Sequence, residues 1–444
     1  MPKEKIINQK SWVNQFFKLD EYGTNVKTEI IAGITTFVAS VYILAVVPGM
    51  LSDAGMPHIS ALAAVIISTA LSTILMGLYA NFPVVVAPGL GLSAFFAYTI
   101  CGSMGLNWQT ALGAVFISGI VFIILTVTKV RQLIIDSVPE CLKISIGVGI
   151  GLFIAFIGFK NAGVIVADPS NFVGLGDLRS PGVALFFIGL ILTSLFFAKQ
   201  MKGGLLIGIL LTTIIGMFIG ITKIPTGLGD LFSIVPPIPE ETFAKLNIKE
   251  AFKYGIFAVI FTITIVDLFD NIGTLIGVSR KAKLIGEDGK IKNLDKALIC
   301  DSVATTVGSV LGTSTVTTYI ESATGVSEGG RTGLTAVTTG VLYLITLFFA
   351  PLFLLIPTQA TAPVLVIVGI LMLSDVSMIN FSDFTEALPS FLTILLMPLT
   401  FSIAQGIAFG FISYTVIKVA TGKWKEVHPV MYVLAICFIV HFLV

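Results

Sequence analysis

The stretch from Ser314 to Gly333 reads STVTTYIESATGVSEGGRTG, and it interrupts an otherwise very apolar chain. Its hydroxyl and charged residues lie between two apolar runs, 296–311 and 333–356, that predict membrane helices. Irregular backbone inside a membrane is tolerated only where protein buries it or where it lines a water-filled cavity. The stretch therefore predicts a polar site inside a membrane protein.

Composition supports this class. The 444 residues are 55% hydrophobic and only 11% charged, whereas about a quarter of the residues in soluble domains are charged. At roughly 20 residues per span plus short loops, residues 1–444 accommodate about 12 to 14 crossings in one integral membrane domain. Counting the apolar runs and the interrupted segments gives 14 up to residue 419. The formal net charge of +1 argues against a nucleic-acid partner. The four cysteines form no C-x-x-C pair, so neither a zinc site nor a disulfide framework is expected.

A second interrupted segment, NFPVVVAPGLGLSAFFAYTI, covers residues 81–100. Each interrupted segment predicts a short β-prone run, 83–86 and 315–319, followed by a half-helix. Ser93 is suited to cap the first half-helix, and Glu321 lies at the head of the second, where simple capping is the alternative to a ligand role. Two such breaks in corresponding halves of a transporter indicate a binding site near the middle of the membrane.

The polar segment 223–253 divides the chain into two halves, 1–222 and 254–419. Each half predicts seven crossings, and because seven is odd the halves must be inverted. The predicted fold is an all-α polytopic membrane protein with a 7+7 inverted repeat, in which crossings 3 and 10 contain short strands and half-helices. Residues 429–444 predict an interfacial helix, with an additional span as the alternative.

Basic residues predict the orientation, because cytoplasmic loops are enriched in lysine and arginine. An N-terminus on the cytoplasmic side places the main basic groups on that side as well: Lys129 with Arg131, Lys199 with Lys202, the run 280–296, and Lys418 with Lys423 and Lys425.

The predicted eighth crossing, AVIFTITIVDLFDNIGTLIGVS at 258–279, places Asp267, Asp270 and Thr274 on one helix face. Together with Glu321, the two aspartates would cost about 8 to 10 kcal/mol in a bilayer if unpaired. Carboxylates can accept hydrogen bonds from substrate N–H groups and can also take up a proton. Structural ion pairing is the alternative, and Arg331 is the basic residue nearby in sequence.

Motifs for ATP binding, zinc proteolysis and serine hydrolysis, such as G-x-x-x-x-G-K-[ST], H-E-x-x-H and G-x-S-x-G, are absent from the sequence. We therefore expect neither an enzyme nor a cofactor.

Three stretches, NFPVVVAPGLGLSAFFAY, DLFDNIGTLIGV and GTSTVTTYIESATGVSEGGRTGLTAV, resemble the nucleobase/cation symporter-2 family in its guanine/hypoxanthine/adenine permease branch. The resemblance extends over essentially the whole chain. It implies a core domain of crossings 1–4 and 8–11 and a gate domain of crossings 5–7 and 12–14. It also implies a proton-coupled elevator that works as a homodimer in the cell membrane.

The resemblance also implies the residues that contact the substrate. The side chains are Ser93, Asp267, Asp270 and Glu321, and the surrounding cradle includes Ala94, Phe95, Tyr319 and Ser322. Asp267, Asp270 and Glu321 are the expected proton-coupling acids. One departure bears on selectivity: Ser93 stands where the branch commonly has asparagine.

The sequence thus predicts an importer of a purine nucleobase, coupled to protons rather than to sodium. The alternatives are a carrier of xanthine, uracil or an anion on the same fold, and a channel without coupling.

Overall fold

The computed structural model describes residues 12–443, apart from 129, 254–256 and 285–290. The first part of the chain contains α1 Trp12–Phe16, α2 Val26–Ser40, α3 Ile43–Asp53, α4 His58–Leu75, β1 Val86–Pro88, α5 Leu90–Ala94, α6 Trp108–Val127, α7 Val130–Ser137, α8 Glu140–Asn161, β2 Ile165–Asp168, β3 Phe172–Leu175, α9 Pro181–Ala198 and α10 Gly204–Ile219. The second part contains α11 Ile248–Lys253, α12 Phe257–Lys281, α13 Leu294–Leu311, β4 Val316–Thr318, α14 Ser322–Ser327, α15 Gly333–Thr346, α16 Ala350–Leu354, α17 Thr358–Leu373, α18 Phe384–Leu399, α19 Ile403–Ala420 and α20 Pro429–Leu443.

Most of these helices are apolar. Within the described residues, nine helices are long and apolar enough to cross a membrane, and α5 with its π-helical extension, α10, α18 and α20 are shorter apolar helices. Large side chains such as Phe218 and Ile191 are exposed on the outer surface, as expected for helices that face lipid tails. The chain is a multi-pass membrane protein.

Paired glycines let helices approach closely. A Cβ on Gly151 of α8 would lie 2.7 Å from Met372 Cβ and 2.9 Å from the carbonyl oxygen of Gly369, both on α17. At a second contact between helices, Gly77 packs against Gly333 at the start of α15. Small residues at such contacts are typical of helix packing in membranes.

The strands confirm the prediction of short β structure in both interrupted segments. β4 lies within the predicted run 315–319, whereas β1 begins only at the last residue of the predicted run 83–86. The reason is a turn before β1, in which the amide of Val84 donates to the carbonyl of Phe82. β2 and β3 form a separate hairpin between α8 and α9.

The C-terminal segment forms α20, which packs through Phe438 against Phe411 of α19 and Phe261 of α12. Its helical structure agrees with the prediction for 429–444. Whether α20 lies at the interface or crosses the membrane stays a prediction.

Candidate functional site

An antiparallel ladder joins the two interrupted segments. β1 pairs with β4 in the register Val86 to Thr318, Ala87 to Thr317 and Pro88 to Val316. Two further backbone bonds extend the ladder, from Gly89 to Thr315 and from Tyr319 to Val85, each 3.0 Å long. Because the strands are antiparallel, α5 and α14 leave from opposite ends of the ladder. The interrupted segments therefore form one structural unit although more than 200 residues separate them.

Hydroxyl groups on neighbouring helices satisfy the outer edges of the ladder. Thr73 Oγ1 on α4 accepts from the amide of Val86 and donates to its carbonyl, at 3.0 and 3.1 Å. Thr305 Oγ1 on α13 donates to the carbonyl of Val316 at 2.8 Å. An unpaired backbone group is costly in hydrocarbon, so these contacts explain how two short strands are stable inside a helical membrane protein.

Ser93 lies inside α5 rather than at its start, so the prediction that it caps the half-helix is wrong. Gly89 is the N-cap of α5, and it contributes no side-chain bond. The Ser93 and Ser314 hydroxyls instead form a hydrogen bond of 2.6 Å, and both side chains are fully buried. Ser93 thereby contacts the other interrupted segment.

Glu321 directly precedes α14, as predicted, but its carboxylate does not cap that helix. Its Oε1 accepts a hydrogen bond from Tyr42 Oη at 2.6 Å. Asp270 on α12 interacts electrostatically with Glu321. Both acids remain partly accessible, so the structure brings together two carboxylates that a ligand could reach.

Asp267 faces a different set of partners. It is only 2% exposed and interacts with Asp301 on α13 and Arg131 on α7, and also with Asp270. The alternative of structural ion pairing named Arg331, but Arg331 donates to backbone carbonyls of the segment that contains α14. Arg131 is a cation close to Asp267, and the sequence did not predict this contact.

The remaining predicted residues surround the ladder. Ser322 Oγ accepts from the amide of Val85 at 3.0 Å and donates to the carbonyl of Tyr319 at 2.7 Å. Tyr319 Oη donates to the carbonyl of Pro88. Ala94 and Phe95 are buried where α5 passes into the π-helical turn. Ser322 and Tyr319 therefore hold the two interrupted segments together.

Several residues of the site were not predicted. Tyr42 lies between α2 and α3, far from the interrupted segments in sequence, and Asn271 Oδ1 accepts from Thr318 Oγ1 at 2.6 Å. Asp301 had a recognisable signal, since it is an acid within an apolar run. Arg131 was counted among the basic residues that predict the orientation, and the structure places it on α7 with only 1% of its surface exposed. Its predicted neighbour Lys129 lies outside the described residues, and the orientation stays a prediction.

Metal ligation finds no support in the described part of the chain, where no group of three or more histidine, cysteine or acidic side chains is placed to hold an ion. The chemistry that the site offers is hydrogen-bond acceptance and proton binding by carboxylates.

A permease family matches residues 27–409 of this chain. The adenine permease AdeQ of Escherichia coli is 42% identical over 433 residues, which cover 98% of this chain and 96% of that protein. The guanine/hypoxanthine permease PbuO of Bacillus subtilis is 44% identical over 431 residues, which cover 96% and 99%.

Solved structures show the same fold at low identity. The transmembrane domain of the cyanobacterial bicarbonate transporter BicA superimposes with a TM-score of 0.66 at 15% identity, covering 86% of this chain and 97% of that one. SLC26A9 superimposes with a TM-score of 0.63 at 13% identity, covering 93% and 67%.

Proposed function

Because the chain belongs to the permease family and matches the purine permease branch of the nucleobase/cation symporter-2 family, we propose that it imports a purine nucleobase together with a proton. Hypoxanthine, guanine and adenine are the proposed substrates. The names of its relatives, which include adenine and guanine/hypoxanthine permeases, support this class of substrate.

The observation that carries the proposal is the Asp270–Glu321 pair at the strand ladder. Purine bases present N–H groups at their ring edges, and ionised carboxylates are acceptors only. Hydrogen bonds to charged groups are among the stronger ones in proteins. Two accessible acids beside buried strands therefore suit a flat ligand rich in N–H donors.

The same carboxylates can also couple transport to protons. An acid inside a membrane protein can be neutralised by a proton, which lowers the cost of moving it through an apolar environment. We assign coupling to Asp270, Glu321 and Asp267.

The proposed architecture comprises 14 crossings in two inverted halves, with the N-terminus on the cytoplasmic side of the cell membrane. A core of crossings 1–4 and 8–11 would move past a gate of crossings 5–7 and 12–14 in an elevator mechanism, in a homodimer. Counted along the chain, α8 is the fifth crossing and belongs to the proposed gate, and Tyr98, which follows α5, lies in the third crossing and belongs to the proposed core. A polar contact between the two supports a movable interface. Tyr98 accepts a hydrogen bond from Asn161 on α8 at 2.8 Å and donates one to Asp53 on α3 at 2.7 Å. This contact borders a cavity of about 490 Å³.

Uptake of radiolabelled purines by liposomes containing the purified protein tests the proposal. We expect uptake to be competed by unlabelled purines, to need no ATP and to be abolished by a proton uncoupler. Preferential competition by uracil, xanthine or an anion would reassign the substrate. Uptake that persists at full rate with the uncoupler would exclude proton coupling and indicate a channel or another coupling ion.

A further inference from the structure

Three charged side chains form a buried cluster next to the Asp270–Glu321 pair. They come from three different helices: Arg131 from α7, Asp267 from α12 and Asp301 from α13. None is more than 2% exposed. Arg131 Nη1 lies 3.9 Å from Asp301 Oδ2, and Asp267 interacts electrostatically with both.

The cluster has unused hydrogen-bonding capacity. Within the described residues, no hydrogen bond of 3.5 Å or less reaches the three guanidinium nitrogens of Arg131, either carboxylate oxygen of Asp301 or Oδ1 of Asp267. The neutral side chains of Thr317 and Asn271 lie close to Asp267 and Asp301, respectively. Buried polar groups in proteins are nearly always hydrogen-bonded. A buried carboxylate with few direct hydrogen bonds is stabilised by binding a proton, so this cluster is suited to hold one.

The charges of the cluster do not balance. Two carboxylates oppose one guanidinium, which packs 4.1 Å from the ring centre of Phe122. Among the side chains that the structure describes, Asp270 also interacts with the two acids, and it is negative when ionised. Burial of an uncompensated charge is costly, and a buried acid reduces that cost by binding a proton.

We propose that Arg131, Asp301 and Asp267 form a proton-holding site that is distinct from the purine contacts and controls them. Arg131 keeps Asp301 ionised, and Asp267 is the acid that gains and loses the coupled proton. A proton from external water forms an O–H bond with the Asp267 carboxylate, and the same bond breaks to release it to internal water. The inference rests on the proposed proton-coupled purine transport.

Electrostatics explain how this proton acts on the substrate. Ionised Asp267 repels the negative charge on Asp270. Protonation of Asp267 removes this repulsion, so Asp270 stays ionised and accepts a hydrogen bond from a purine N–H. Purine binding would therefore be favoured when Asp267 carries the proton.

The test compares two assays on the full-length protein in liposomes. Exchange of labelled for unlabelled hypoxanthine, without a pH gradient, measures binding and movement. Accumulation of labelled hypoxanthine inside liposomes with an alkaline interior measures the coupling of transport to protons. Asp267→Asn imitates the protonated acid, so we expect gradient-driven accumulation of hypoxanthine, relative to wild type, to fall at least tenfold further than hypoxanthine exchange does. Wild-type accumulation in this variant would overturn the proposal.

A charge-pair experiment addresses Arg131. In Asp301→Asn, Arg131 would pair with Asp267 and hold it ionised, so gradient-driven accumulation should fall and its pH dependence should shift to lower pH. The double variant Arg131→Gln/Asp301→Asn removes that cation, so accumulation should recover. The double variant also covers the case in which Asp301→Asn alone does not fold. A folded double variant that couples poorly would contradict the role given to Arg131.

Glu29→Gln is the matched control, because Glu29 is a fully buried acid whose carboxylate has hydrogen-bond partners. Its ratio of accumulation to exchange should equal that of wild type, and a loss as large as in Asp267→Asn would overturn the specific role of the cluster. Absence of any purine exchange by the wild-type protein would instead reject the proposed substrate class.

Discussion

Tyr42 donates a hydrogen bond of 2.6 Å to Glu321, although 279 residues separate them in sequence. Tyr42 is fully buried between α2 and α3, so the donor is held by the surrounding core. The bond fixes one oxygen of the acid and leaves Oε2 for another partner. An acid oriented in this way can present a defined acceptor to a ligand.

Replacing Tyr42 by phenylalanine should weaken purine binding about tenfold or more. A hydrogen bond to a charged group contributes about 1.5 to 3 kcal/mol, and about 1.4 kcal/mol corresponds to a tenfold change in affinity. Isothermal titration of the purified variant with hypoxanthine measures the effect. Tyr414→Phe on α19, beside Lys418, makes the same chemical change without touching the Glu321 contact, and this variant should bind hypoxanthine normally. Equal affinities for the Tyr42 variant and wild type would show that Glu321 needs no orienting donor.

Ser93→Asn should change base preference. The Ser93 hydroxyl fits against Ser314 at 2.6 Å, so a longer amide must displace this contact and adds a donor and an acceptor beside the ladder. We expect the ratio of adenine to hypoxanthine competition to change roughly tenfold, which corresponds to about 1.4 kcal/mol. Competition of labelled uptake measures this ratio. Ser314→Ala removes the same hydrogen bond without adding an amide, and it should keep the wild-type ratio. An unchanged ratio in Ser93→Asn would place Ser93 outside the substrate contacts.

Glu29→Ala should destabilise the fold by about 3 kcal/mol. The buried carboxylate accepts bonds from the amides of Arg331, Thr332 and Thr335, at 2.8 to 3.3 Å, and from Thr335 Oγ1 at 2.6 Å. Its loss leaves the first turn of α15 without these acceptors. A lower thermal unfolding midpoint in detergent would be the readout. Glu328→Ala breaks an exposed ion pair with Lys202, which should matter little. Equal midpoints for the two variants would contradict the role given to Glu29.

The sequence was informative where local pattern determines structure. Proline, glycine and β-branched residues within apolar runs predicted both interrupted segments, because they disfavour a continuous helix and favour extended backbone. The acids in the eighth and tenth predicted crossings were noticed because isolated charges are rare in membrane helices. Their roles in binding and coupling remain proposals.

Contacts between distant segments could not be predicted. Nothing in the residues around Tyr42 indicates that its hydroxyl reaches Glu321, since that contact depends on how α2, α3 and α14 pack. The burial of Arg131 was missed for a similar reason: a basic residue after an apolar run is typical of a cytoplasmic loop, and only the approach of α12 and α13 shows that it lies beside Asp267 and Asp301. Ser93 matched the preferences of an N-cap, but α5 begins three residues earlier.

Hypoxanthine affinity of purified Asp270→Asn and Glu321→Gln tests the proposed substrate site most directly. Each amide is nearly the size of the acid and costs less to bury, so both proteins should fold. Loss of one charged acceptor should weaken binding roughly 10- to 150-fold, which corresponds to about 1.5 to 3 kcal/mol, whereas Glu240→Gln in an exposed loop should bind normally. Wild-type affinity in both Asp270→Asn and Glu321→Gln would contradict the assignment of these acids as purine ligands.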